Sequence, residues 1–303
     1  VRRGERAEGI SVVVPVRDDA EHLWRCLIGL SLQELPPDEV VVVDNGSRDG
    51  LDEVLAAARR RWELPLRVVR EPRPGVAFAA AAGYDAARRA LILRCDADSL
   101  PPPGWTARHA RLLRAAGPAA VASTGMGRFH PAPRWLGEGA CRLYVEAYRL
   151  VGGLALGHPP LWGSNMAMRA SWWERVREGV HRTAGVHDDY DLSFLLAPGE
   201  RFLVDRGGVI GVSWRAVAMP HRVVRQLRMA GRVIRLQWPR QRPWERLAER
   251  AAPRLARRRP ARGGEHGPGD AGRPGGPGRP GRRSPEDSDG RGRAPQPPPG
   301  AGG

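Results

Sequence analysis

Lysine is absent from the 303 residues, so all 49 basic side chains are arginines. Arginine crowded together with Ala, Gly and Pro reflects biased codon usage as readily as a demand for guanidinium chemistry, which weakens the formal charge of +16 as a functional signal. From Ala251 onward eleven arginines face five acidic residues, leaving about +10 of that charge on the body. A basic body favours anionic partners such as nucleotide phosphates or acidic lipid headgroups, without choosing between them. Cysteine is scarce: Cys26, Cys95 and Cys141 are far apart, odd in number and form no CxxC pair. That pattern indicates neither a zinc knuckle nor a disulfide framework and fits a reducing cytoplasm. No run approaches the ~20 apolar residues needed to cross a bilayer. Residues 1–9 form a charged arm lacking the apolar stretch of a signal peptide. The expected location is cytoplasmic, with peripheral attachment to the inner face of the membrane left open. No aromatic-basic recognition motif stands out, so nucleic acid is not an expected partner.

What is present is an alternation. Ile10–Val16, Glu39–Val43, Leu66–Arg70 and Leu91–Cys95 are short runs rich in β-branched or aliphatic residues. Between them lie helical patterns at 20–32, 51–62 and 75–90, the first with Leu23, Leu27 and Leu30 on one face. Strands with continuous rather than alternating apolar residues are buried on both sides, which predicts an α/β fold with a mostly parallel central sheet flanked by helices. Ligands of such sheets bind at the carboxyl ends of the strands. Three polar clusters, Arg17–Asp19, Asp44–Ser47 and Asp96–Ser99, fall at those ends. The second half is less regular, with a strand expected at 121–124, a helix at 138–151 and another at 222–238. From Ala251 the chain is Gly, Pro, Arg and Ser with little apolar content, a composition that predicts disorder.

Asp96-Ala97-Asp98 carries the most chemistry. Two carboxylates at a strand end can face one hard cation, Mn²⁺ or Mg²⁺, and leave positions for phosphate oxygens. Such a cation neutralises a departing diphosphate; solvated or capping aspartates are the plainer alternative. Asp44 either accepts hydrogen bonds from a base edge or ribose, or simply caps the Asn-Gly-Ser turn after it. Asp188 and Asp189 are adjacent like charges, which suits a general base, although acidic residues also favour a helix N-terminus. In the 222–238 helix, Val223, Leu227, Ala230, Ile234 and Trp238 share one face and Arg225, Arg228, Arg232 and Arg235 another. That arrangement suits either packing with a solvated Arg face or contact with an anionic membrane. His221, just before it, is a lone histidine; the many tryptophans are read as packing residues before sugar platforms.

In this order the segments VVVPVRDD, VVVVDNGSRDG, GVAFAAAAG, LILRCDADS, GSNMAMR and HDDYDLS resemble the family 2 glycosyltransferases of the GT-A fold, over about Ile10 to Leu196. The resemblance implies a hexosyltransferase-like, inverting, non-processive enzyme, with a nucleotide-diphosphate sugar as donor and a glycan, lipid-linked or small-molecule acceptor. It places Pro15, Arg17, Asp18 and Asp44 in the nucleotide pocket and Asp96 and Asp98 at metal and diphosphate. Gly163, Ser164 and Asn165 would border donor sugar and acceptor, Asp189 would be the base with Asp188 beside it, and His221 would approach the metal. The implied domain runs over 10–250, with 10–120 as the nucleotide half and 121–250 as the acceptor half, between an arm at 1–9 and a tail at 251–303. Two departures stand out. Ala80-Ala81 replaces the Arg-Asn that many relatives carry, and the Gln-x-x-Arg-Trp of processive members is absent. A nucleotidyltransferase, or an inactive sugar-nucleotide-binding protein on this scaffold, are the competing readings. The first usually wants a Gly-rich phosphate loop that Arg17-Asp18-Asp19 does not provide.

Overall fold

The computed structural model of the chain describes residues 6–218 and 220–249, the side chains of Ala216, Pro220, His221 and Arg222 excepted. The expected tail lies outside the described residues, as does most of the expected arm. Seven strands form one sheet in the order β3-β2-β1-β4-β6-β5-β7. β1 (Ala7–Val16), β2 (Glu39–Asp44), β3 (Leu66–Arg70) and β4 (Arg89–Arg94) pair in parallel. β6 (Met166–Arg169) runs antiparallel to both β4 and β5 (Ala120–His130), and β7 (Arg201–Ser213) is parallel to β5. The result is the mostly parallel α/β sheet that the apolar runs predicted.

The valine runs explain the layering. Successive strand side chains point to opposite faces. Val12, Val14, Val40, Val42 and Leu93 pack with Leu23, Leu27 and Leu30 of α1 (Ala20–Ser31) and with Leu51 and Leu55 of α2 (Leu51–Arg61). Val13, Val41, Val43 and Ile92 meet Ala79, Ala80 and Ala81 of α3 (Val76–Ala86) and the two tryptophans of α6 (Ala170–Val176). A Cβ at Gly83 would collide with the Val13 side chain, so the missing side chain lets α3 lie against β1. α3 is shorter than its Ala-rich pattern suggested, because Ala87 turns extended and Arg89 is already paired with Ala7.

Two consequences of register position the site. Val16 pairs with Asp44, and the amide of Cys95 donates to the carbonyl of Val13, so the three polar clusters emerge along one rim. Because β6 is antiparallel, its first residue, Met166, lies opposite Arg94 at the end of β4. The segment just before β6 is thereby delivered to the same rim.

The second half holds more structure than its pattern revealed. α4 (Trp105–Ala115) and the 13-residue β7 were not anticipated, and α5 (Arg134–Leu156) is longer than the expected helix. α5 is apolar on two sides: Cys141, Val145 and Leu156 are buried, while Leu143, Leu150 and Leu154 are 74%, 68% and 70% exposed. α7 (Asp188–Ser193) and α8 (Arg215–Ala218) are short, α9 (Pro220–Gln237) follows, and residues 243–249 are helical as well. The buried side of α9 is rotated from the expected one: Ala230 and Ile234 do pack on the core. Val233 and Gln237 are buried, whereas Leu227 and Trp238 are exposed. The helix is turned so that Val233 meets Tyr190 and Phe194 and Gln237 donates to Asp191 at 2.7 Å. Among the described residues no helix is long and apolar enough to cross a membrane.

Candidate active site

Two cavities open on the rim and meet at Asp96 and Asp98. One, of about 350 Å³, is lined by Pro15, Arg17, Asp18, Asp19, Asp96, Asp98 and Arg215 among others. The other, of about 230 Å³, runs inward between Asp96, Asp98, Gly163, Ser164, Asp188 and Asp189, under Tyr144 of α5. Arg225 and Gln226 of α9 line both.

Asp96 is a hub. Its Oδ2 accepts from Ser164 Oγ at 2.5 Å and its Oδ1 from Arg94 Nη2 at 3.1 Å. Asp98 accepts from Arg215 Nη2 at 3.2 Å, and the same nitrogen reaches Asp19 at 2.8 Å. Burial and the neighbouring Asp96 push the Asp98 carboxyl up to about 6, against the pull of Arg215. Two carboxylates held this close in a half-dry cleft call for further positive charge.

The second acidic pair sits at the start of α7, and its two members differ. Asp189 is 3% exposed. Its Oδ2 accepts from the Gly163 amide at 2.6 Å, and its Oδ1 from the Tyr190 amide at 2.7 Å and from His187 Nδ1 at 2.5 Å. Burial alone would raise its pKa, but the His187 charge and hydrogen bond, Arg94 and the Gly163 amide together hold it down at about 2. Asp188 has Arg94 Nη1 at 2.5 Å from its Oδ2. Here burial outweighs Arg94, Asp189 adds repulsion, and the carboxyl is lifted to about 6. His187 is itself raised, since Asp189 and Asp188 outweigh its burial.

Family comparison settles what the geometry belongs to. Residues 11–177, more than half of the chain, match the description of Glycosyl transferase family 2. The chain belongs to that family. Among curated relatives, glycosyltransferase AglE of Haloferax volcanii is 28% identical over 110 residues, which is 36% of each chain. The match to the uncharacterized glycosyltransferase YfnE of Bacillus subtilis is 31% over 100 residues, a quarter (25%) of that protein. The chain therefore aligns with only about a third or less of these relatives' length. Of solved structures, the mannosyltransferase PcManGT from Pyrobaculum calidifontis, in complex with GDP-Man and Mn²⁺, superposes with a TM-score of 0.59 at 20% identity. It covers 84% of this chain and 77% of its own. TarS 1-349 of S. aureus in complex with UDP gives 0.55 at 15% identity, covering 82% and 72%. The shared architecture is the GT-A fold of family 2.

Within this family 2 domain, Pro15, Arg17, Asp18, Asp96 and Asp98 are brought to one cleft, and Gly163, Ser164, Asp188 and Asp189 to the adjoining one. Asp44 lines neither cavity; its Oδ1 accepts from the Ser47 amide at 2.8 Å, which holds the turn. Asn165 corrects an expectation. It is fully buried at 0% exposure, and its side chain pins Trp105, His109 and the carbonyls of Met126 and Gly208. With its amide engaged in that lattice it lines neither cavity, and it fixes the loop on which Gly163 and Ser164 sit. The side chain of His221 lies outside the described residues.

Asp96 and Asp98 fit a hard cation by donor chemistry, since both offer carboxylate oxygens to the space where the two cavities meet. Among the described residues the tightest group of ligand-type side chains is His187, Asp188 and Asp189. Three of its four carboxylate oxygens accept from Arg94, His187 and backbone amides, and both oxygens of Asp96 are engaged as well. Arg94 and Arg215 were missed from sequence. A signal for Arg94 existed, namely a charged residue inside an apolar strand, which burial permits only if it is paired. No local pattern marks Arg215, which reaches Asp19 across 196 positions.

Proposed function

We propose that the protein is an inverting glycosyltransferase that moves a sugar from a nucleoside-diphosphate donor to an acceptor hydroxyl, with Mn²⁺ or Mg²⁺ as cofactor. The observation that carries the reading is the meeting of the two cavities at Asp96 and Asp98, with Pro15, Arg17 and Asp18 on one side and the Asp188–Asp189 pair on the other. The fold resembles enzymes solved with GDP-Man and Mn²⁺ and with UDP, so the larger cavity is the natural seat of the nucleotide. Asp44, next to it at the tip of β2, is proposed to add an acceptor for base or ribose. Asp96 and Asp98 would hold the cation, with His221 as a candidate third ligand, and the cation's chemistry is to neutralise the diphosphate as it leaves.

The chain's own residues account for the remaining steps. Arg215 and Arg225 border the shared rim and supply positive charge toward phosphate oxygens. Gly163 and Ser164 floor the inner cavity, where the donor sugar and acceptor would meet. The acceptor's proton passes to the Asp188–Asp189 pair as its oxygen attacks the anomeric carbon from the side opposite the diphosphate. A single displacement of that kind inverts the centre and needs no covalent enzyme intermediate. The resemblance assigns the base to Asp189, whose Oδ2 accepts one hydrogen bond and keeps a lone pair. Asp188, lifted to about 6, is the better matched of the two to proton exchange near neutral pH. The two titrate as a pair, and the pair is the functional unit.

The acceptor is placed among glycans, lipid-linked molecules and small hydroxyl compounds. A membrane-held acceptor is favoured by the exposed leucines of α5, a helix whose Tyr144 lines the inner cavity. Peripheral contact with an anionic inner leaflet is proposed on that basis, within a catalytic domain spanning about 10–250.

The test is a thermal-shift screen of UDP-, GDP- and dTDP-sugars with and without Mn²⁺. At least one donor should stabilise the protein in a metal-dependent way, and product analysis should find an inverted linkage. No metal-dependent stabilisation by any donor overturns the reading, and metal-independent nucleotide transfer would favour the nucleotidyltransferase alternative instead.

A further inference from the structure

Arg94 is a buried cation at the end of β4, directly after Leu91, Ile92 and Leu93, and the reaction outlined above gives it no task. Its side chain is 4% exposed and touches both acidic pairs. Nη2 donates to Asp96 at 3.1 Å and Nη1 to Asp188 at 2.5 Å. The guanidinium also lies so close to Gly163 that a Cβ there would collide with it, and Gly163 in turn donates its amide to Asp189 at 2.6 Å. One planar group therefore fixes three things: the inner face of Asp96, the position of Asp188, and the backbone that holds Asp189. Lysine could not do this. An ammonium is a point charge that lacks the planar fork with which Arg94 reaches two carboxylates at once.

The surroundings explain why the cation comes from the sheet. Arg94 follows Ile92 by two positions and so shares its face of β4, the face covered by α3. Ala80 and Ala81 of α3 line, together with Tyr84, Asp188 and Asp191, a residual gap of about 10 Å³. These positions offer only methyl groups. No side chain of α3 brings positive charge to Asp188, and Arg94 Nη1 is the donor that Asp188 does receive. Removing a partner from a buried ion pair leaves an uncompensated charge, so this arrangement has little tolerance for loss of either end.

We propose that Arg94 is a positioning residue that couples the donor-side carboxylate Asp96 to the base-side carboxylate Asp188, supplying from β4 a charge that α3 does not bring. Its side chain, though part of the inner cavity's lining, is only 4% exposed, and it acts through the two aspartates. Its kinetic test rests on the transferase reading, and a second measurement is independent of it.

The experiment uses the full chain with R94M, R94K, D188N and the R94M/D188N double variant, assayed with the donor found by the screen. R94M should lower kcat by about 100-fold, the scale on which general-base alignment acts. It should also raise the KM for donor in Mn²⁺ several-fold through Asp96. R94K should fold and recover only part of kcat. In the double variant the losses should not multiply, because both substitutions break one link. Adding A80R to R94M should restore part of the rate if charge at this spot is what matters. A wild-type rate in R94M or R94K, or fully multiplicative losses, overturns the proposal. If R94M does not fold, R94K decides alone: wild-type kcat overturns it, and a reduced kcat with a normal melting temperature supports it. If the wild type transfers no sugar, the transferase reading has failed but Arg94 can still be judged. Carboxyl infrared or ¹³C titration should show Asp188 taking up its proton at higher pH in R94K or R94M, and an unmoved titration sinks the coupling.

Discussion

The molecule holds two pairs of neighbouring aspartates that face the same cavity, and they are built in opposite ways. Asp96 and Asp98 lie on a loop at the end of a parallel strand, and their partners are side chains: Ser164, Arg94 and Arg215. Asp188 and Asp189 open a short helix, and Asp189 is gripped by two backbone amides and a histidine. The first pair is left open on the side where the cavities join. The second is largely closed, except toward the inner cavity. Identical chemistry is thus tuned by different partners: Arg94 reaches both pairs, Arg215 and Ser164 complete the first, and backbone amides with His187 complete the second.

That contrast can be broken most sharply by neutralising one member of each pair. Asp98→Ala should abolish metal-dependent donor stabilisation and reduce turnover by about three orders of magnitude, in line with loss of the cation that Asp98 would hold against the developing charge. Asp189→Asn should leave donor stabilisation in place while turnover falls at least about 100-fold. Thermal shift and initial rates on the same preparations separate the two. Equal loss of donor binding in both variants would mean that the pairs are not functionally distinct.

A smaller effect sharpens the split inside the second pair. Asp188 has a folded pKa of about 6, raised from 3.8, so the folded state holds its proton more tightly than the unfolded chain. Its contribution to stability is full below pH 4 and is lost as pH rises through 6. Asp189 is depressed from 3.8 to about 2, so its contribution is present above pH 4 and lost as pH falls through 2. Relative to wild type, D188N should therefore gain ground as pH rises from 4 to 7. D189N should lose ground over pH 2 to 4. Urea melts across this range check both signs, and parallel curves for variant and wild type would contradict them.

The two halves also differ in how legible they were. Strands β1, β2 and β4 are local events: a β-branched or aliphatic run ends in a polar cluster, and parallel pairing then lines the clusters up. Pro15, Arg17, Asp18, Asp96 and Asp98 could therefore be read from short stretches of sequence. The second half depends on long-range register. Gly163 and Ser164 reach the site only because β6 is antiparallel to β4, which no local pattern states. Asn165 looked like its neighbours in the GSN segment, yet alternation turned its side chain into the core. β7 hid because Arg, Asp and two glycines interrupt its apolar pattern. The buried side of α9 was misjudged for the same reason: a helical wheel ranks residues by hydrophobicity, whereas Gln237 is buried because Asp191 needs a donor.

The smallest expected effect concerns the outer surface of the second half. Leu136, Leu143, Leu150 and Leu154 of α5 recur along one exposed side, at ~100° per residue within a narrow stripe. Beside it, α9 is joined to α5 through Tyr144 and Gln226 and carries Arg225, Arg228, Arg232 and Arg235 with no acidic residue. An apolar stripe next to an all-arginine helix fits a surface of anionic lipid, where leucines enter the headgroup boundary and arginines meet phosphates. Wild type should sediment with phosphatidylglycerol vesicles and much less with phosphatidylcholine, and added salt should weaken the binding. L143D/L150D should lower that binding several-fold and leave the melting temperature within a few degrees, since both side chains face solvent. A wild-type protein that ignores anionic vesicles would remove the membrane reading. A mass that halves on L143D/L150D would instead assign the stripe to a second copy of the chain.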